Sequence, residues 1–235
     1  DDNRSFMEGI HRRLASESGL AVIGLASDGK EALELTSRES PDLLLLDMEM
    51  PEMSGLEVTR ELSRAGSRTT ILALSGYAEQ EYILGTLELG AAGYLMKDES
   101  LATIVGAVWT VLEGGVFISS RLPARIIGES VGGNTQRRPI PSAERELIDL
   151  GVTPRLLGVF QLLAIGLNNQ EIAERGQRSE HTVRNQIESI KKRIGVRWRA
   201  AAVAWAWKKG VPAISQPEYR RLFKNRRAAG GPREA

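Results

Sequence analysis

In the first half of this sequence, polar groups of three kinds, carboxylate, hydroxyl and ammonium, border a series of apolar runs and helical patterns. Asp47 ends "LLLLD", Ser75 ends "TILALS", Lys97 follows "GYLM", and Asp1 and Asp2 stand directly before the first helical pattern. Taken singly, an aspartate at a strand end is ordinarily a turn former and a lone lysine ordinarily solvated. Gathered at one edge, three carboxylates repel one another, and a hard divalent cation relieves that repulsion. Mg²⁺ suits such a place because it takes oxygen ligands and keeps several waters. A cation held there would also bridge an incoming phosphoryl group, with Asp47 as the nucleophile that becomes an acyl phosphate. Stand-alone catalysis is not expected. The two histidines, His11 and His181, fall in different halves of the chain, and there is no Ser/His/Asp or metal-protease motif.

These groups meet only if the runs they close are parallel strands of one sheet. The apolar stretches 20–26, 42–47, 70–75 and 92–96 are short and nearly continuous, as strands buried on both faces should be. Helical patterns separate them at about Glu31–Ser37, Gly55–Ala65 and Glu79–Leu89. Others lie around Phe6–Leu14 and Leu101–Glu113. The alternation predicts an α/β, doubly wound parallel sheet, whose site lies outside the carboxyl ends of the strands where strand order reverses.

With those residues in view, positions 1–118 resemble the receiver domain of two-component response regulators, through "DD", "LLLLDMEMPEMSGLE", "LALSG" and "GYLMKD". The resemblance implies a five-stranded flavodoxin-like fold and phosphorylation of Asp47 by a sensor histidine kinase. It implies Mg²⁺ held by Asp1, Asp2, Asp47 and the backbone carbonyl of Glu49, with Asp2 closer to the metal. Ser75 would then hydrogen-bond the phosphoryl oxygens and Lys97 would pair with them. Tyr94 matches an aromatic switch position that turns inward with the hydroxyl residue. The family's first strand, which precedes the acidic pair and lies between the second and third, is absent from the sequence.

The 235 residues carry a formal charge of +1, which conceals an asymmetry. Residues 1–118 hold 9 Lys+Arg against 20 Asp+Glu, and the remainder holds 22 against 10. An acidic half joined to a basic half suggests a cation site in the first and a polyanion partner in the second. With no cysteine, a disulfide framework or thiolate metal site is excluded and a reducing compartment is suited. The longest charge-free apolar run, "LATIVGAVWTVL", is shorter than the ~18–20 residues of a membrane span. A cytoplasmic protein without a membrane partner is expected.

The stretch 119–150 has no sustained period and reads as a linker, with a helical tendency near Ser142–Leu150. Residues 151–209 read as four short helices, and 210–235 as a basic, mobile tail. Within the four, "NNQEIAERGQRSEHTVRNQIESIKKRIGV" is helix, tight turn, helix. Ser179 as N-cap, with His181 and Thr182 in the first turn, aims backbone N–H groups where a phosphate could sit. Arg184 and Asn185 suit guanine and adenine edges. The cluster Lys191, Lys192 and Arg193, with Arg197 and Arg199, offers salt-sensitive phosphate attraction.

This half resembles the LuxR-type helix-turn-helix domain, and the whole chain resembles NarL/FixJ-family response regulators, which are transcription factors. The resemblance implies double-stranded promoter DNA and a homodimer on activation, with RNA polymerase a further candidate partner. Several positions depart from the pattern: Gly176 and Arg178 in the turn, Gln186 for a histidine, and Glu188 where a lysine is usual. They motivate an alternative, a receiver-containing interaction module whose degenerate helix-turn-helix does not read DNA.

Overall fold

The computed structural model describes residues 1–119 and 141–214. Most of the expected linker and nearly all of the expected basic tail lie outside the described residues. The chain divides into two compact units, 1–122 and 123–235.

In the first unit the described elements run α1 (Arg4–Ala15), α2 (Gly29–Glu39), β1 (Leu43–Asp47), α3 (Gly55–Arg64) and β2 (Thr70–Ser75). They continue with α4 (Gln80–Glu88), β3 (Gly93–Met96), α5 (Leu101–Leu112) and β4 (Phe117–Ile118). Local signals set the helix starts. Asp28 accepts from the amides of Lys30 and Glu31, and Ser54 with Glu57 forms a reciprocal capping box. The strands form a parallel sheet in the order β1-β2-β3-β4, with Asp47 beside Leu74 and Ser75 beside Met96. The carboxyl ends of β1, β2 and β3 are thereby level. Alternation through the sheet separates two cores: Leu72, Leu74 and Leu95 pack with Ile10, Ile104 and Val108, whereas Leu46 and Ile71 pack with Val58 and Leu62.

Two elements differ from expectation. Residues 20–26 were expected as a strand, yet 21–26 form no ladder. A cavity of about 560 Å³ runs alongside, lined by Leu20–Ala26, Leu43–Leu46, Ile10, Leu14 and Val108 among others. A strand exists through its neighbour's hydrogen bonds, and the neighbour that the resemblance implies for this segment is the strand preceding Asp1. Conversely, Phe117–Ile118 pairs with Gly93–Tyr94 as a fourth strand that the sequence reading did not anticipate.

The second unit is helical: α6 (Pro141–Asp149), α7 (Pro154–Ala164), α8 (Asn169–Gly176), α9 (Glu180–Ile194), α10 (Arg199–Lys208) and a 3₁₀ turn at Val211–Ala213. Thr153 caps α7 with Pro154 in its first turn, and Asn168 with Glu171 boxes the start of α8. Helix α6 falls inside the stretch expected to be linker, but it belongs to this unit. Leu147 is fully buried, Lys209 Nζ meets Glu146 Oε2 at 2.6 Å, and Arg193 Nη1 donates to the Leu150 carbonyl at 3.1 Å. Gly151 follows at φ +72°, a left-handed backbone that favours glycine.

Candidate functional site

Level strand ends bring the sequence-singled carboxylates together. Asp1, Asp2 and Asp47 each offer an oxygen, and these oxygens lie within 4.8 Å of one another. Asp47 is fully buried; its Oδ1 accepts from the Glu49 amide at 2.9 Å, and its Oδ2 accepts from Lys97 Nζ at 2.6 Å. Lys97 Nζ also stands 3.5 Å from Asp1 Oδ2 and 3.8 Å from Glu49 Oε2. Lys97 therefore faces the carboxylates of Asp1, Asp47 and Glu49, exposed Asp2 adds a further one beside Asp1 and Asp47, and this crowding of negative charge favours a cation. Asp1 Oδ2 is buried without a hydrogen-bond donor, an arrangement costly for a carboxylate unless a cation completes it. The donor set is all oxygen, which fits Mg²⁺. Gly55 permits the loop after β1 to fold back, because a Cβ there would lie 2.3 Å from the Asp47 carbonyl oxygen.

A second set of contacts surrounds Ser75, itself fully buried. Ser75 Oγ donates to Glu49 Oε1 and accepts from the Tyr77 amide at 3.0 Å. The Gly76 amide donates to Glu49 Oε2 at 2.9 Å. Tyr94 is fully buried and its hydroxyl donates to the Tyr77 carbonyl at 3.0 Å. Burial pushes the Tyr94 phenol well above the usual range, so the neutral donor is the form the fold favours. From the sequence, only the backbone carbonyl of Glu49 is expected at the site. Its side chain lies in an irregular loop, where no period indicates direction.

In the second unit, Val183, Ile187 and Ile190 of α9 are buried, and the opposite face carries the residues suited to nucleic acid. Ser179 Oγ accepts from the Thr182 amide, closing the start of the helix. His181, Arg184, Asn185 and Lys192 are exposed, with His181 Nε2 3.1 Å from Asn185 Nδ2. The basic cluster is less uniform than its sequence. Lys191 Nζ pairs with Glu188 Oε1 at 2.7 Å, and Arg193 turns to Ser189 Oγ and the Leu150 carbonyl. The turn departures are connected: the Arg178 side chain lies across Gly176 and its Nη1 donates to Gln186 Oε1 at 3.2 Å.

Arg199, expected among the phosphate-attracting cations, is instead folded into this unit. Its guanidinium donates to Asn169 Oδ1 at 2.7 Å and to the Leu167 carbonyl at 2.6 Å, tying α10 to the start of α8. Burial lowers its pKa to about 10 against the upward pull of Glu171. In α10, Val203 is fully buried and Trp205 stacks on Phe160 with centroids 5.8 Å apart, so both contribute to this unit's own core.

Comparisons with known proteins agree with both halves. Residues 1–108 match the model for the response regulator receiver domain, and residues 151–206 match that for bacterial regulatory proteins of the luxR family. The transcriptional regulatory protein LnrK of Bacillus subtilis is 36% identical over 90% of this chain and 96% of its own length. DegU of Brevibacillus brevis is 32% identical over 89% and 92%, and the nitrate/nitrite response regulator NarL of Escherichia coli 30% over 87% and 91%. Among solved structures, a LuxR-family two-component response regulator from Aurantimonas sp. SI85-9A1 aligns with a TM-score of 0.54 at 30% identity. It covers 56% of this chain and 94% of that one. The RcsB response regulator of Salmonella typhimurium shares the fold at 22% identity and a TM-score of 0.51, over 87% and 94%.

Proposed function

The chain belongs to the response regulators that join a receiver domain to a LuxR-type DNA-binding domain, and on that premise we propose that a histidine kinase phosphorylates Asp47 and so switches promoter binding. What carries the reading is the burial of Asp47 at a strand end, paired at 2.6 Å with Lys97 and crowded by the carboxylates of Asp1 and Asp2. An Asp47 oxygen forms the new O–P bond as the N–P bond of the kinase phosphohistidine breaks. Asp1, Asp2, Asp47 and the Glu49 carbonyl would hold Mg²⁺, which offsets charge on the transferred group when bound. Lys97 fixes the Asp47 carboxylate before transfer and pairs with a phosphoryl oxygen after it; Ser75 donates a hydrogen bond to another. Tyr94, coupled to Ser75 through Tyr77, would carry the change to the surface as a two-state bias.

On DNA, α9 would lie in the major groove with Arg184 and Asn185 at base edges. Ser179, His181 and Thr182 would sit at phosphate, and Lys191 and Lys192 would add attraction along the backbone, whereas Arg193 is held by Ser189 and the Leu150 carbonyl. A second copy would double these contacts over paired half-sites, and RNA polymerase is the further partner this role invites.

Fluorescence-anisotropy titration against promoter-derived and scrambled duplexes tests the reading, with and without Mg²⁺ and beryllofluoride, at two salt concentrations. Tighter binding on activation of the wild type, with no change in Asp47→Ala, is the expected outcome. A folded protein that binds no duplex at either salt would instead favour the interaction-module alternative.

A further inference from the structure

The side chain of Glu49 does what an external anion at this site would do. Its two carboxylate oxygens accept from the Ser75 hydroxyl and from the Gly76 amide, the latter at 2.9 Å, and Lys97 Nζ stands 3.8 Å away. A hydroxyl, a backbone amide and an ammonium are the groups an oxyanion needs, and one intramolecular carboxylate accepts from the first two and faces the third. The packing leaves little slack, since a Cβ on Gly76 would sit 3.3 Å from Glu49 Oε2. The engagement extends inward. Ser75 Oγ, held by Glu49, accepts from the Tyr77 amide, and the Tyr77 carbonyl accepts from the buried Tyr94 hydroxyl.

We propose that Glu49 is a built-in stand-in anion: its carboxylate occupies the Ser75 and Gly76 donors in the unphosphorylated protein, keeps Tyr94 buried, and must be displaced before a phosphoryl group on Asp47 can use them. This rests on the reading of Asp47 as phosphoacceptor. Two consequences follow from competition for one set of donors. Only the fraction of molecules with Glu49 swung away can take an incoming anion, so apparent affinity for that anion is reduced by that fraction. The buried ring is also partly set before phosphorylation, so the unphosphorylated chain carries a share of the switched conformation and the span of the switch is narrowed.

Full-length wild type, Glu49→Ala and Glu49→Asp decide the matter together. The aspartate variant keeps the charge but shortens the reach by one methylene. Fluorotyrosine NMR, with the Tyr94 signal assigned by Tyr94→Phe, reads the ring in the absence of any phosphoryl mimic. Beryllofluoride titration in Mg²⁺ reads competition. Both variants are expected to shift the Tyr94 signal and to bind beryllofluoride roughly three- to tenfold more tightly, the range of one or two lost hydrogen bonds. If the Tyr94 signal stays put in both, or if Glu49→Asp matches wild type while Glu49→Ala tightens, charge alone is at work and the proposal falls. Should beryllofluoride bind none of the three proteins, the phosphoacceptor reading falls instead, and the ligand-free Tyr94 signal still decides whether Glu49 holds the ring.

Discussion

The two ends of the signalling path are built on opposite electrostatic plans. Around Asp47, charges are buried, close and bonded: the carboxylate is fully inaccessible, both its oxygens are engaged, and its ammonium partner is three-quarters covered. On α9 the groups that would meet DNA, Arg184, Asn185 and Lys192, are exposed. Low local dielectric makes the first set strong and intolerant of a missing partner, whereas solvent and salt weaken the second, which gains by number. The contrast explains why one unit can carry a chemical event and the other a reversible, salt-tuned association. It also orders the effects that substitutions should have.

The largest effect should come from breaking the buried pair. Lys97→Met leaves the Asp47 carboxylate with the donation from the Glu49 amide and removes the cation that faces Asp1 and Glu49. Loss of one partner of a buried ion pair costs about 3 kcal/mol. Chemical denaturation in a chelator should show that loss. Mg²⁺ at a hundredfold excess over its Kd should restore about 2.7 kcal/mol, because it binds the folded state. A variant that is as stable as wild type in chelator would mean that the carboxylates are more hydrated than their burial implies.

Asp47, Ser75 and Lys97 stand out in the sequence because buried parallel strands are apolar runs, and each of these runs stops at a polar residue at the carboxyl edge of the sheet. The failures have one cause, which is that the missing information belongs to pairs. "LAVIGLA" has strand composition, but a ladder requires a neighbour, and residues 21–26 form none. Phe117–Ile118 is too short to show a period and is a strand only because Gly93 and Tyr94 lie beside it. Glu49 could be recognised as a neighbour of Asp47 in the chain, but its reach to Ser75 spans 26 positions. Helix α6, by contrast, lies where the sequence shows a helical tendency, near Ser142–Leu150.

A middle-sized effect should sort the basic residues of α9 by what they already touch. Arg184→Ala should weaken duplex binding by about 1–3 kcal/mol and relax preference at one base pair, and Lys192→Ala should lower the slope of log K against log salt by about 1. Arg193→Ala should leave that slope nearly unchanged and lower thermal stability, because its guanidinium is bonded to Ser189 and to the Leu150 carbonyl. Equal salt slopes for the Lys192 and Arg193 variants would erase the distinction between a solvated and a folded-in cation.

The smallest expected effect lies in the turn between α8 and α9. Read one at a time, Gly176, Arg178 and Gln186 each loosen the helix-turn-helix, since a glycine and a charge stand at positions usually apolar. In three dimensions two of them are joined: the Arg178 side chain lies beside Gly176, and its guanidinium holds Gln186 eight positions on. A double-mutant cycle of Arg178→Ala and Gln186→Ala should therefore return a coupling of about 0.5–1.5 kcal/mol in unfolding free energy. Because the bond anchors Gln186 on the recognition helix, the single variants should also lower duplex affinity without altering the salt slope. Strict additivity in the cycle would mean that the turn is held by Val183 and Ile187 in the core alone, and that Arg178 is as exposed to counterions as Arg184.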